Sequence, residues 1–183
     1  MNITRLHPEI RPVNQGDSLE FLTALIHEAY APHAAHGLRY WATHQSSEDT
    51  GKRFAAGLGL VAELDRELVG TITVRAPQPE SPIDLYRDPG VWTIGQFAVS
   101  PMVQGCGIGK LLHDAAIQHA VRNGGHSMAL DTAEPAARLI KRYMGWGYRV
   151  VGHCDWRPNT NYLSVLMARP LVFSMASSDR FES

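Results

Sequence analysis

Six residues, Gln104-Gly105-Cys106-Gly107-Ile108-Gly109, begin five positions beyond Val99, the end of an apolar run, and open directly into a helical pattern. A strand, a glycine-rich bend and a helix in that order point to an α/β fold that holds an anion at a helix start. Glycines at alternate positions let the main chain enter left-handed conformations that a Cβ resists by roughly 1 to 2 kcal/mol per residue, so successive amides can turn toward one ligand. The helix dipole contributes about 0.3 to 1 kcal/mol, whereas each hydrogen bond to a charged group contributes about 1.5 to 3 kcal/mol. The backbone N–H groups therefore dominate, and the segment reads as a pyrophosphate cradle.

Spacing separates the proteins that bind phosphates this way. A P-loop requires Gly, four residues and then Gly-Lys-Ser/Thr; Gly109-Lys110 is present, but Gln104 stands five before Gly109 and Leu111 follows Lys110. A dinucleotide fingerprint, GxGxxG directly after its strand, meets Lys110 at its third glycine, and Ser100 to Val103 intervene. Asp131, 24 residues past Gly107, is the one feature that suits a ribose contact.

Val99-Ser100-Pro101, followed by Gln104 to Gly109, resembles the acyl-CoA loop of the GCN5-related N-acetyltransferase (GNAT) family, in which a strand ending in Val-x-Pro precedes Arg/Gln-x-x-Gly-x-Gly/Ala. A second segment, Ala137 to Tyr148, carries Tyr143 four residues before Gly147-Tyr148 and resembles the family's tyrosine-bearing helix. The likeness is specific from Val91 to Pro170 and general before that, where Glu63 to Thr73 fits an early hairpin. It implies a three-layer α/β sandwich around a mixed sheet, splayed between the strand before the loop and the next, with acetyl-CoA as cosubstrate. Carried onto this chain, it gives main-chain groups of Phe97, Ala98 and Val99 to pantetheine. The pyrophosphate falls to Gln104, Gly105, Cys106, Gly107, Ile108, Gly109 and Lys110. Tyr143 matches the general acid, and Asp131 falls where some protein N-terminal acetyltransferases carry a glutamate base. Ala136 departs from the pattern, since many members have an asparagine there that contacts the cofactor chain.

The order of elements follows from periodicity. Leu19, Leu22, Leu25, Ile26 and Ala29 recur at helical spacing after Asp17 and Ser18, predicting a helix from Ser18 to Tyr30 that Pro32 ends. A shorter helix begins at Ser46-Ser47-Glu48-Asp49, and strands from Gly59 to Leu64 and Leu68 to Arg75 make a hairpin. Ala76 to Gly90 holds four prolines and reads as a long loop that lids a site. Val91 to Val99 is the central strand. Ile108, Leu111, Leu112, Ala115, Ala116 and His119 then line a helix closed by Asn123-Gly124-Gly125. A strand at Met128-Ala129-Leu130, a helix from Pro135, and strands Tyr148 to Cys154 and Tyr162 to Ala168 complete one domain over residues 1–171, with a loose serine-rich tail over 172–183.

Charge narrows the partners. Seventeen basic and eighteen acidic residues leave a formal charge of −1, without the basic footprint of a nucleic-acid or anionic-membrane binder. No apolar run approaches the roughly 18 residues of a spanning helix, and the first residues lack the apolar core of a secretion signal, so the expected location is cytoplasmic. Cys106 and Cys154 need no disulfide there. The nine histidines include His33 with His36 and His113 with His119, but neither His-Glu-x-x-His nor Cys-x-x-Cys occurs, and no metal is expected.

Amide formation from a thioester requires a neutral amine, stabilisation of a tetrahedral oxyanion, and a proton for the departing thiolate. A phenol titrates near about 10 and a thiol near about 8.5, so a tyrosine close to the sulfur stays protonated and can donate. Tyr143 suits that role, and its bland alternative is a buried aromatic on an apolar helix face. For the base, Asp131 competes with its own use as a cap for the helix near Pro135. Gln96 is the only polar candidate on the cradle strand, so a water relay to a distant carboxylate or histidine stays open. A main-chain N–H near Ala98 or Val99 is the oxyanion donor. Tyr30, His33, His36, Tyr40, Trp41 and His44, then Asp84 and Asp88, then Trp156, Arg157 and Tyr162 supply aromatic walls with a few carboxylates, which suits a small-molecule amine acceptor. Acetylation of a protein N-terminus or lysine, and a non-catalytic acyl-CoA-binding module, are the alternatives; a homodimer is left open.

Overall fold

The computed structural model describes residues 8–171, and the tail expected over 172–183 lies outside them. In chain order come β1 (Glu9–Pro12), α1 (Leu19–Ala35), α2 (Ser47–Ala55), β2 (Leu58–Leu64), β3 (Glu67–Arg75), α3 (Asp84–Arg87), β4 (Val91–Val99), α4 (Ile108–Arg122), β5 (Ser127–Ala133), α5 (Ala137–Gly145), β6 (Arg149–Asp155) and β7 (Leu163–Pro170). The strands form one open sheet in the order β1-β2-β3-β4-β5-β7-β6. Only β4 and β5 run parallel; every other neighbouring pair is antiparallel.

Alternation along the strands explains the three layers. Leu60 and Ala62 of β2, with Ile72 and Val74 of β3, pack beneath Ile108, Leu112, Ala116 and Ala120 of α4. Val61, between the first two, faces the opposite way onto Leu22 of α1 and Phe54 of α2. Both faces of the sheet are thus covered. A fully buried aliphatic such as Leu112 contributes about 1.5 to 3 kcal/mol. Along α4 the inward stripe differs from the expected one: Leu111 is exposed and His113 is buried in its place.

Helix ends follow local chemistry. Ser18 Oγ accepts from Phe21 N at the start of α1, and Ser46 with Asp49 forms a reciprocal capping box on α2. Pro32 does not end α1, which runs on to Ala35. A proline removes one helical hydrogen bond, and here that loss does not stop the helix. The stop comes at Gly37, whose φ of 78° lets Gly37 N bond Ala34 O and Leu38 N bond His33 O. The 76–90 connection is likewise more ordered than a lid: α3 lies within it, and Ile83 and Tyr86 are buried against Val91, Ala129 and Leu166.

Two features of the sheet set up the site. β4 pairs with β5 only from Val91–Thr93 to Ser127–Ala129, after which the two strands part. Just beyond, Gln96 takes a φ of 49° and breaks the register of β4 against β3. β1 was not foreseen, being four residues with a proline at its end; Arg11 holds it in place by bonding Asp17 (2.8 Å) and Glu63 (2.7 Å). Among the described residues no helix is long and apolar enough to cross a membrane.

The buried imidazole of His113 hydrogen-bonds the Tyr148 hydroxyl at 2.9 Å, and burial pulls its pKa down to about 4 against the opposing pull of Asp114. The folded state therefore prefers the neutral ring. Its contribution is complete above about pH 6.5 and is lost as the pH falls toward about 4, because the unfolded chain takes up the proton first. Urea unfolding between those limits should show up to about 3 kcal/mol lost through this group. His113→Gln, less stable at neutral pH, should lose correspondingly less; parallel pH slopes in the two proteins would contradict the assignment.

Candidate active site

The loop after β4 has the conformation its glycines suggested. Gly105 and Gly107 lie at φ 83° and 86°, and a β-carbon on either would meet nothing within 4 Å, so both face open space. Gly109 has no such φ; a β-carbon there would touch Phe97 and Val99 at 3.6 Å, an ordinary contact. Two of the three glycines are therefore conformationally required. Cys106 N donates to Val103 O at 3.4 Å, while the amides of Gly105, Gly107, Ile108, Gly109 and Lys110 find no acceptor among the described residues. Free amides at a left-handed bend and the first turn of a fifteen-residue helix fit a pyrophosphate.

Side chains of the same loop are occupied otherwise. Gln104 Nε2 donates to Val99 O at 3.0 Å and braces the loop against the end of β4. Lys110 pairs with Asp114 one turn along α4, which leaves the backbone to supply the cradle's donors. The Cys106 thiol is exposed.

A cleft of about 800 Å³ extends from this loop along the end of β4 toward α5. Phe97, Ala98 and Val99 form one wall, Tyr143 of α5 and the capping residue Trp146 another, and Tyr30 and His33 of α1 a third. Arg138 and Arg142 add positive charge along it. Tyr143 is positioned by the way α5 ends. Gly147 takes φ 90°, Gly147 N bonds Met144 O, and Tyr148 N bonds Tyr143 O. That closure sets the Tyr148 ring edge-to-face against Tyr143, with centroids 5.7 Å apart. The tyrosine and the Gly-aromatic pair four residues on are thus one device. Tyr143 is buried, its hydroxyl bonds no described residue and stays open to the cleft, and burial holds its pKa well above that of a free phenol.

Asp131 sits elsewhere. It lies on β5 two residues past the last β4–β5 pair and does not line the cleft. Tyr86 OH donates to its Oδ1 and Trp156 Nε1 to its Oδ2, each at 2.9 Å, so it caps no helix; Ala136 precedes α5 without a side-chain cap. Ser164 Oγ, buried without a partner at bonding distance, acts on the carboxylate only from longer range. Burial raises the Asp131 pKa, and its hydrogen bonds and the charge of Arg53 oppose that rise.

Gln96 turns away from the cleft into a buried polar network. Gln45 Nε2 donates to Gln96 Oε1 (2.8 Å) and Thr50 Oγ1 (2.7 Å), and Gln96 Nε2 donates to Thr73 Oγ1 (3.3 Å). Asp84 pairs with Arg87, Asp88 approaches His126, and Arg157 pairs with Asp155, so these three expected acceptor residues serve local contacts. Tyr40 is buried, its ring 5.0 Å from those of His33 and Tyr162, with its hydroxyl 3.2 Å from Thr132 Oγ1. The sequence alone did not mark Tyr86, which bonds Asp131, Arg53 and Arg75, whose charges reach it, or Gln45, which holds Arg53. Nothing in their periodicity marks them: Arg53 sits in an amphipathic helix, Arg75 at a strand end, and Tyr86 in a proline-rich loop. Among the described residues no three His, Cys, Asp or Glu side chains are grouped to hold a metal ion.

Solved structures share this architecture. PH1933 from Pyrococcus horikoshii is 18% identical, with a TM-score of 0.71 over 90% of this chain and 98% of that one. A GNAT family acetyltransferase from Elizabethkingia anophelis, solved with acetyl-CoA bound, is 17% identical, with a TM-score of 0.64 over 90% and 98%. A ribosomal-protein-alanine N-acetyltransferase from Brucella melitensis is 20% identical, with a TM-score of 0.66 over 89% and 99%. No curated protein matches in sequence. At these identities the likeness speaks for the fold, while a sequence model of the acetyltransferase (GNAT) family matches residues 20–148, well over half of the chain. The chain belongs to the GNAT acetyltransferase family.

Proposed function

We propose that the protein is an acetyl-CoA-dependent N-acetyltransferase that moves an acetyl group to the primary amine of a small molecule by direct attack on the thioester. The observation that carries this reading is the set of free amides at Gly105 and Gly107 to Lys110, opening into a cleft that also contains the Tyr143 hydroxyl. The acetyl-CoA bound to the Elizabethkingia anophelis protein supports the choice of cosubstrate. Acetyl-CoA supplies an activated carbonyl carbon and a thiolate leaving group. Free thiols at Cys106 and Cys154 suit a reducing cytoplasmic setting.

Each residue then has a stated task. The cradle amides hold the pyrophosphate, and main-chain groups of Phe97, Ala98 and Val99 align the pantetheine arm along β4. Gln104 keeps the loop seated through Val99 O. Tyr143 donates its proton to the sulfur as the carbon–sulfur bond breaks, and its raised pKa keeps that proton in place at neutral pH. Asp131, outside the lining of that cleft, receives through a water relay the proton that the amine loses as the carbon–nitrogen bond forms. Its two oxygens each accept one hydrogen bond already and each keep a further lone pair for the relay.

Thiol release from acetyl-CoA across a panel of amines tests the reading, and absence of release with every amine would overturn it. Tyr143→Phe is expected to lower kcat by about 10²-fold or more while CoA affinity, read by calorimetry, changes little. Gly107→Ala places a methyl group in a left-handed position disfavoured by about 1 to 2 kcal/mol. It should weaken CoA binding about tenfold and lower the melting temperature by a few degrees. On the acid side, kcat/KM should fall as Asp131 protonates, at a pH above the usual carboxylate range because burial raises its pKa. An Asp131→Asn variant that kept the same acid limb would remove Asp131 as the base.

A further inference from the structure

Two guanidinium groups without carboxylate partners of their own share a face of the sheet with Asp131: Arg75 pairs with Thr93 and Thr93 with Ala129, and Gly95, which Arg53 overlies, and Asp131 each stand two residues further along their strands. Arg53, in the last turn of α2, donates Nη1–H to Gln45 Oε1 at 2.7 Å. Arg75 ends β3 with its stem beside Gly57, where a β-carbon would lie 3.0 Å from its Cγ. Neither makes an ion pair among the described residues. Asp49, whose charge also reaches Arg53, is committed to capping α2. Both arginines are half-buried, and loss of water around each lowers its pKa. A cation withdrawn from water without a partner is a position proteins rarely hold for packing alone.

Their location ties them to the reaction. Arg53 Nη2 stands 3.5 Å from where a β-carbon on Gly95 would be, over the stretch of β4 that has just parted from β5. Gly95 precedes the Gln96 bulge, and Gln45, which grips Arg53, also grips Gln96. The charges of Arg53 and Arg75 act on each other and on Asp131. Two positive groups against one carboxylate leave one positive charge in excess. A monoanion on an acceptor whose amine is neutral and ready to react cancels it, whereas a dianionic phosphate overshoots. Arginine's planar fork also matches a carboxylate in two-point geometry.

We infer that the acceptor is an amine that carries a carboxylate, as a free amino acid does, with the carboxylate on Arg53 and Arg75 and the amino group toward Asp131. This rests on the acetyltransferase reading above, and its test separates the two. Thiol release and calorimetric binding to the CoA-loaded protein are measured for L-amino acids, their C-terminal amides, the matching decarboxylated amines and phosphoethanolamine. The best amino acid should exceed its amide by at least about tenfold in both kcat/KM and affinity. Arg75→Gln, which breaks no hydrogen bond of the fold, and Arg53→Gln should each cut that ratio to about threefold or less. Melting temperatures near that of the parent protein would show that both variants fold.

Amides that match their amino acids, a ratio unmoved in both variants, or phosphoethanolamine preferred to every amino acid would each overturn the inference. Thiol release without any carboxylate preference would sink it and leave the acetyltransferase standing. Arginine-dependent amino-acid binding without thiol release would do the reverse.

Discussion

The site lies where β4 and β5 stop pairing after Thr93 and Ala129, and just beyond that parting one buried amide, Gln96, shifts the register of β4 against β3. A left-handed φ at a residue with a side chain costs roughly 1 to 2 kcal/mol. Gln96 is offset by a network in which Gln45, Thr50 and Thr73 meet its polar atoms inside the protein, each net bond contributing about 0.5 to 1.5 kcal/mol. Thr50 is bonded in turn to Thr23 at 2.6 Å, and His27 meets the Gln45 carbonyl at 2.9 Å, so α1 and α2 are both fastened to the bulge. Satisfied polar groups under the helices thus fix the bulge that borders the gap in the sheet.

Helix ends do the rest of the positioning. A left-handed glycine closes α1 at Gly37, α4 at Gly124 and α5 at Gly147, and in each case the amide two residues past the cap returns to the carbonyl five back. At α5 that returning residue is Tyr148, and the carbonyl it reaches belongs to Tyr143. One hydrogen bond and one ring contact thus set both the end of the helix and the direction of the phenol. Tyr148 is anchored from behind by His113 on α4, which couples the tyrosine helix to the helix that begins at the cradle.

What was readable in the chain follows the range of the physics involved. The cradle, the hairpin, the central strand and the tyrosine helix each depend on residues close in sequence, and glycine spacing or period marked them. Elements fixed by distant partners were not visible. β1 has four residues and is held by Arg11 bonding Glu63, 52 positions away. The end of α1 looked settled by Pro32, yet the helix runs on to Ala35 and closes at the left-handed Gly37. Asp131 could be picked as an acid at a strand end, but its partners Tyr86 and Trp156 come from two separate loops 45 and 25 residues away. Gln96 read as a weak catalytic candidate because its strained backbone and its partners in α2 and β3 leave no pattern in the sequence.

The electrostatics around Asp131 gain direction from the same arrangement. Burial raises its pKa, while its hydrogen bonds and, less than these, the positive charge of Arg53 lower it. An acceptor carboxylate seated on Arg53 and Arg75 would screen the arginine's part of that opposition and leave the burial and the hydrogen bonds in place. Asp131 would then become more basic at the moment the amine arrives, and revert when the product leaves. A base made stronger by its own substrate gains proton affinity in the complex, where the amine has a proton to lose. On that account the two arginines act on rate as well as on affinity, through a charge that the acceptor itself cancels.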